Sequence, residues 1–547
     1  MKKIIIALIM FGFVFALTSC DFLNNLTTKN STSDTSTEVT YSSTDSNTIS
    51  ESSTDIITSN LISDDTSTTS VTLITSSTTT TTTEQISTFT TTTESITTTE
   101  TEIITTTTLE EQTTTSSSES GGLITNAEYD LIQDVLPTVG IPASGEAKVI
   151  VFVVDFPDKL ITDDAKVLSD TNLAFNGNSE DLVYESLNSY YLKSSYNKLN
   201  LSADIFGVYT AKNNSTYYET LNTQFYATDP QTGEYLYPDA THPDSDLIFE
   251  ILTQYDSQIN YSDYDANNDG YIDGVYVIYN HEISYESGSD LWWAYQYYYY
   301  YEDSFDGVAP NYYVWSGLDF FYEGEEPLNA RTIIHETGHM LGLEDYYDYY
   351  PDDFYNSGGL GTFMMDYNVG DHDAFSKLLL GWINPIIIET SATVDILPLA
   401  SSGDVLLIID EWKGTIFDEY LLVIYYTPEM LNELDKSYIF TEPGILVFHV
   451  SAAIDNGYNT DSYYYSIFNN NNTDSVNKLL KIIEADMGND IEKYAIAEDT
   501  DLFQVGDIFN YNIHSDYSWY DGNNMNFFIE VVSLDVNKAT IKIDFLS

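Results

Sequence analysis

Seven histidines occur in 547 residues, and two of them stand four apart in His335-Glu336-Thr337-Gly338-His339, followed by Gly342 and Asp345. On a helix this spacing turns both imidazoles to one face, where they can hold a single metal ion with Glu336 beside it. Zinc bound there would lower the pKa of its water toward about 7, and Glu336 is placed to take the proton and later deliver it to a leaving amine. Gly342 can adopt a left-handed conformation that ends the helix and turns the chain back, bringing Asp345 to the metal as third ligand. The pattern HExxHxxGxxD therefore predicts a catalytic zinc site. The alternative is a structural zinc on an inert helix, although structural sites usually lack a free glutamate beside the ion.

Downstream, Phe363-Met364-Met365-Asp366-Tyr367 resembles the methionine turn that metzincins place under the metal, with Met365 at the turn and Tyr367 as a stabiliser of the oxyanion. Taken alone, the same residues fit an ordinary core. A second metal signal is Asp265, Asn267, Asp269, Tyr271 and Asp273, which alternate around Gly270 as calcium loops require. The match to an EF-hand is partial, because Tyr276 falls where a bidentate glutamate belongs. An Asx-rich turn is the other reading of that loop. His242, His281, His372, His449 and His514 have no ligand spacing and are read as structural, with His372 close behind the methionine turn.

These residues need elements to hold them. Val149 to Phe156 is an apolar run ending at Pro157, which predicts a buried strand. Ser179 is expected to cap a helix through Leu182, Leu187 and Tyr190, and a second helix should carry Leu247, Ile248, Ile251, Leu252 and Tyr255 on one face. After Pro385 short runs such as Leu406 to Ile409, Leu421 to Ile424 and Ile445 to Phe448 read as strands. The fold class expected is α+β: a catalytic domain over 123–390 with a twisted sheet and an active-site helix, then a β-rich domain over 391–547. No internal repeat is evident.

The N-terminal part has a different composition. Lys2-Lys3, the apolar run Ile4 to Leu17 and Leu17-Thr18-Ser19-Cys20 form an export signal over 1–20, too short for a span of about 20 apolar residues. Its end resembles a bacterial lipobox, in which Cys20 becomes the lipidated first residue. The alternative is an ordinary secretory signal, which also sends the protein out of the cytoplasm. Residues 21–122, dominated by Thr and Ser, predict a disordered stalk that could extend on the order of 300 Å. Cys20 is the single cysteine, so no disulfide is expected within the chain, and metal ions and core packing must stabilise it. The net charge of −68, from 18 Lys+Arg and 86 Asp+Glu, argues against nucleic-acid partners and for solubility.

Several segments together resemble the immune-inhibitor-A family of bacterial secreted metallopeptidases, over about Ala147 to Asp486. They are Val154 to Asp158, Ser189 to Tyr196, the Asp265 loop, the zinc-motif helix, Ser376 to Trp382 and Gly444 to Val450. The resemblance implies a metzincin-like catalytic domain with zinc and calcium sites, endopeptidase activity on proteins, and a β-rich region behind the active site. By position, His335, His339 and Asp345 match the family's zinc ligands and Glu336 its catalytic glutamate. The chain departs from the commoner pattern in its lipobox and stalk, and in the roughly 25 residues between stalk and first catalytic strand, where no large inhibitory propeptide fits. The expectation is a monomeric zinc metalloendopeptidase, lipid-anchored at the bacterial cell surface and cutting proteins or peptides. The competing classes are a stalked adhesin with a metallopeptidase-like head and a narrow processing protease or cell-wall amidase.

Overall fold

The computed structural model describes residues 122–123, 140–284, 290–322, 328–348, 359–437, 439–454, 467–472, 477–491, 496–515 and 517–546. Cys20, the expected export signal and nearly all of the threonine-rich stretch lie outside these residues. The architecture is α+β. No helix among the described residues is long and apolar enough to cross a membrane.

In chain order the first elements are β1 (Gly122–Leu123), β2 (Gly145–Asp155), α1 (Asp164–Asn176), α2 (Leu187–Ser194), β3 (Leu199–Thr210), α3 (Ser215–Phe225), α4 (Pro243–Tyr255), β4 (Val275–Tyr279), β5 (Tyr295–Tyr298), β6 (Tyr312–Gly317) and α5 (Arg331–Met340). A five-stranded sheet runs β3-β2-β4-β6-β5. Its first four strands are parallel to one another, and β5 closes the edge antiparallel to β6. Alternation along the strands sends Val149, Val151, Tyr276, Ile278 and Val314 to one face, against Phe175 of α1, Tyr191 of α2 and Ile333 and Ile334 of α5. Ile150, Phe152, Val154, Val277 and Trp315 point the other way, onto Leu247, Ile248, Ile251 and Leu252 of α4. Both faces are covered, which explains the unbroken apolar run in β2.

The helix expected to start at Ser179 starts later. Ser179–Asp181 is a single 3-10 turn, and α2 begins after Ser186, whose hydroxyl accepts from the Ser189 amide while the Ser189 hydroxyl accepts from the Ser186 amide. This reciprocal cap outcompetes Ser179, and Leu182 is engaged in a bridge to Leu328. For α4, His242 and Pro243 at the N-terminus and two aspartates in the first turn set the start, as dipole and proline geometry favour.

The chain continues through α6 (Met364–Tyr367), α7 (Ala374–Leu379), β7 (Ile386–Ile388), β8 (Ala392–Ile396), α8 (Leu399–Ser402), β9 (Leu406–Ile408), β10 (Glu419–Tyr426), β11 (Gly444–Ser451), β12 (Leu480–Ile483), β13 (Ile508–Phe509), β14 (Phe527–Asp535) and β15 (Lys538–Phe545). A six-stranded sheet β1-β7-β9-β10-β11-β12 and a four-stranded sheet β13-β14-β15-β8 make up this half. Leu407, Leu422, Ile424, Leu446 and Phe448 join the same apolar core as α5, while Leu406, Ile408, Val423 and Val447 pack on Phe527, Ile529 and Ile541. One core thus runs across residue 390, and the metal-motif helix contributes Ile333, Ile334 and Met340 to it.

Candidate metal centre

α5 packs its apolar side into the core and carries His335 and Glu336, both buried, near its middle. It stops at Leu341, and Gly342 takes a φ of +88°, a region a Cβ would disfavour. The Leu343 amide then donates to the Gly338 carbonyl at 3.0 Å, and the returning chain delivers Asp345. Its Oδ1 lies 2.9 Å from His335 Nε2 and 3.4 Å from His339 Nε2. Metal–ligand bonds of 2.0–2.1 Å at a tetrahedral angle would separate neighbouring donors by about 3.3 Å; the two separations from Asp345 are close to that, and all three donor atoms lie within 4.8 Å of one another. Each imidazole is aimed by its other nitrogen: His335 Nδ1 meets the Met364 carbonyl and His339 Nδ1 the Leu343 carbonyl, both at 2.9 Å. A carbonyl accepts only from an N–H, so Nδ1 carries the proton and Nε2 is the nitrogen each ring could offer to a metal.

The electrostatics suit a cation. Burial alone would lower both histidine pKa values, but the charge and hydrogen bonding of Asp345 outweigh it, raising His335 and lifting His339 to about 9. Against its own burial, the same partners hold Asp345 well below the usual carboxylate range. Glu336 is pushed up by burial, with both histidines pulling it down, Asp345 pushing it up and the backbone amide of Gln296 donating to it. α5 packs beside the edge strand β5.

The segment after the helix closes under it. The Tyr346 amide donates to the Met365 carbonyl at 2.9 Å, and Met365 is fully buried against Gly338, where a Cβ would fall 2.3 Å from its sulfur. Tyr367 ends α6, its ring packed on the main core, and Asn368 turns the chain with a φ of +52°. Asp366 is buried, accepts from the Gly361 amide at 2.6 Å, and is pushed up to about 7 by burial despite further donation from Leu360 and Thr362.

The chain matches no protein-family model and no curated protein. The functional reading therefore stands on the motif and this geometry.

At the expected calcium loop, Gly270 has a φ of +89°. Asp265 accepts from the amides of Asp269 and Gly270, and Asp269 from that of Tyr271. Asn267 donates to the Asp269 carboxylate at 3.0 Å. Asp273 accepts from the Ala266 amide and is pushed up to about 7 by burial and by the charges of Asp265 and Asp269. The fold thus crowds three carboxylates around a tight turn, as a hard cation needs, but part of their capacity is taken by loop amides, as in an Asx turn.

Some contributors escaped the sequence reading. Gly338 inside a helix costs about 1 kcal/mol against alanine, and that cost was the one signal for its packing role. Gln296 is a backbone contact and leaves no signal. Glu484, Asp490 and Asp501 gather their oxygens within 4.8 Å of one another, from positions too far apart in sequence to form a pattern. His372 is buried against Tyr190, Tyr191 and Trp382, and burial with the Lys377 charge keeps it neutral, its pKa far below the ordinary value.

Proposed function

We propose that the chain is an exported zinc metalloendopeptidase of the metzincin type, similar to the immune-inhibitor-A family and held at the bacterial cell surface by a lipid on Cys20. The observation that carries this reading is the convergence of His335 Nε2, His339 Nε2 and Asp345 Oδ1 beside the buried Glu336. Two imidazoles and a carboxylate suit zinc and leave a fourth position for water or substrate. When bound, zinc supplies Lewis-acid polarisation of the scissile carbonyl and of the attacking water. Glu336, its pKa raised by burial, takes the proton from that water and returns it to the departing amine. Tyr367 is assigned as hydroxyl donor to the oxyanion, and Met365 as the packed floor under the ligands.

The edge strand supports a polypeptide substrate. An exposed strand edge pairs with extended chains, and one lying along β5 passes beside α5, the helix that carries Glu336. The Asp265 loop is assigned to calcium, which would offset its crowded carboxylates.

The deciding experiment measures bound zinc and casein cleavage for the purified protein and for Glu336→Ala. One zinc in each, with cleavage lost in the variant by about 10²-fold or more, supports the reading. Zinc bound without cleavage of casein or of a diverse peptide library by either form rules out general proteolysis and leaves a stalked binding head or a narrow processing enzyme.

A further inference from the structure

Arg331 is the one arginine of the chain. It opens α5 four residues before His335, so by helical spacing it lies on the same stripe as the two histidines, about 6 Å along the axis. Its guanidinium sits over the Tyr184 ring at 5.2 Å. The Tyr184 hydroxyl in turn donates to the Gly370 and Leu431 carbonyls at 2.8 Å. α5 therefore has β5 on one side, through Gln296 and Glu336, and the Met364–His372 segment on the other, and Arg331 continues the second side one turn beyond the metal ligands.

Among the described residues this guanidinium has no carboxylate partner, and its Nε is buried without a hydrogen-bond partner. That is unusual in a chain with 86 acidic residues. The buried Lys377 is paired with Asp371 at 2.8 Å, and even the more exposed Lys193 is paired with Glu185. A partly buried guanidinium normally recruits acceptors, because its five donors are expensive to leave unmade. The planar fork matches a carboxylate in two parallel hydrogen bonds.

We propose that Arg331 is a specificity-determining residue that binds a substrate carboxylate within about two residues of the scissile bond, since an extended peptide advances about 3.3 Å per residue. The inference rests on the peptidase reading and deepens it. An aspartate or glutamate side chain, or the C-terminal carboxylate of a short peptide, offers the same chemistry.

The test uses the zinc-loaded full chain and peptides blocked at both ends, identical except for Ala, Glu or Lys at positions flanking the bond. Remote residues keep the net charge constant, so that the −68 of the enzyme acts equally on all. A fourth peptide carries Ala with a free C-terminal carboxylate. The expected result is a kcat/KM about tenfold or more higher for Glu than for Ala, with a rise for the free carboxylate only if chain ends are the natural ligand. Within Arg331→Gln the Glu-to-Ala ratio should fall to about one, and within Arg331→Glu the Lys peptide should lead. Ratios taken inside each variant divide out any general loss of activity, and zinc content reports on folding. Cleavage of all peptides by the unaltered protein with no preference for a carboxylate, or an unchanged ratio in Arg331→Gln, overturns this inference alone. If the variants do not fold, the ranking by the unaltered protein still decides it. No cleavage of any peptide removes the peptidase reading and this inference with it.

Discussion

The Cβ that Gly338 lacks would fall 2.3 Å from the sulfur of Met365 and 3.0 Å from its methyl carbon. Met365 is fully buried, and the carbonyl of its neighbour Met364 orients His335, so pressure on this methionine reaches a proposed metal ligand through one peptide unit. Gly338→Ala should destabilise the protein by about 1–3 kcal/mol as overpacking, in spite of the better helix propensity, and should weaken zinc binding. Adding Met365→Ala should give back part of the zinc affinity. Strictly additive effects in denaturation and zinc titration would show that the two residues are not coupled.

Zinc binding should release protons. With metal removed by chelation, His339 titrates at about 9 and His335 above its ordinary value because Asp345 stabilises the imidazolium forms. Raised histidine pKa values contribute stability that is complete below the unfolded value of about 6.5 and is lost as pH rises through about 9. The chelated protein should therefore lose thermal stability between pH 6.5 and 9 while the zinc-loaded protein does not. Calorimetric titration of zinc at pH 7 in buffers of different ionisation enthalpy should report proton release, and its absence would refute the coupling of Asp345 to the two imidazoles.

How far the sequence speaks for the fold depends on how local each feature is. The histidine pair, Glu336, the turn at Gly342 and Asp345 lie within eleven residues, so one helical period and one positive-φ glycine place them. The β2 run and the apolar face of α4 are likewise local patterns. Ser179 is the expected cap, but the helix is capped at Ser186, fixed by its reciprocal partner at Ser189. The pairing of β8 with β15 joins residues over 140 positions apart, and no periodicity encodes it. The same holds for Gln296 on Glu336, for Arg331 over Tyr184 and for the Glu484, Asp490 and Asp501 group: each is a product of tertiary packing.

The loop at Asp265 makes a prediction of opposite sign to that of the histidines. Asp273 is pushed up to about 7, by burial first and then by Asp265 and Asp269, so between about pH 4 and 7 the folded chain binds a proton that the unfolded chain has released. Stability then falls as pH rises through that window, by up to about 4 kcal/mol. Calcium would take the place of the proton, so it should raise the melting temperature more at pH 8 than at pH 5. Asp366 and Asp501, also pushed up to about 7, act in the same direction, so the Asp273 share is isolated by Asp273→Asn. A calcium response unchanged in that variant would remove calcium from this loop.

Behind the Met364–Tyr367 segment, Lys377 and Asp371 form a buried ion pair at 2.8 Å. The Lys377 ammonium also donates to the Ser194 carbonyl, and Asp371 accepts from the Ser194 hydroxyl and the His372 amide. The pair ties the end of α2, the loop after α6 and α7 together at one point. Removing one partner leaves the other charged and buried, which costs about 3–5 kcal/mol, whereas replacing both with apolar residues of similar volume can be close to neutral. Lys377→Met and Asp371→Leu should each shift the urea midpoint strongly downward, and the double variant should recover most of the loss. Because Asp371 also accepts the His372 amide and its carbonyl accepts from Met364, the single variants should lose zinc affinity as well. A stable double variant with normal stability and reduced zinc binding would assign the pair to positioning the Met364–Tyr367 segment. Full recovery of both would assign it to packing alone.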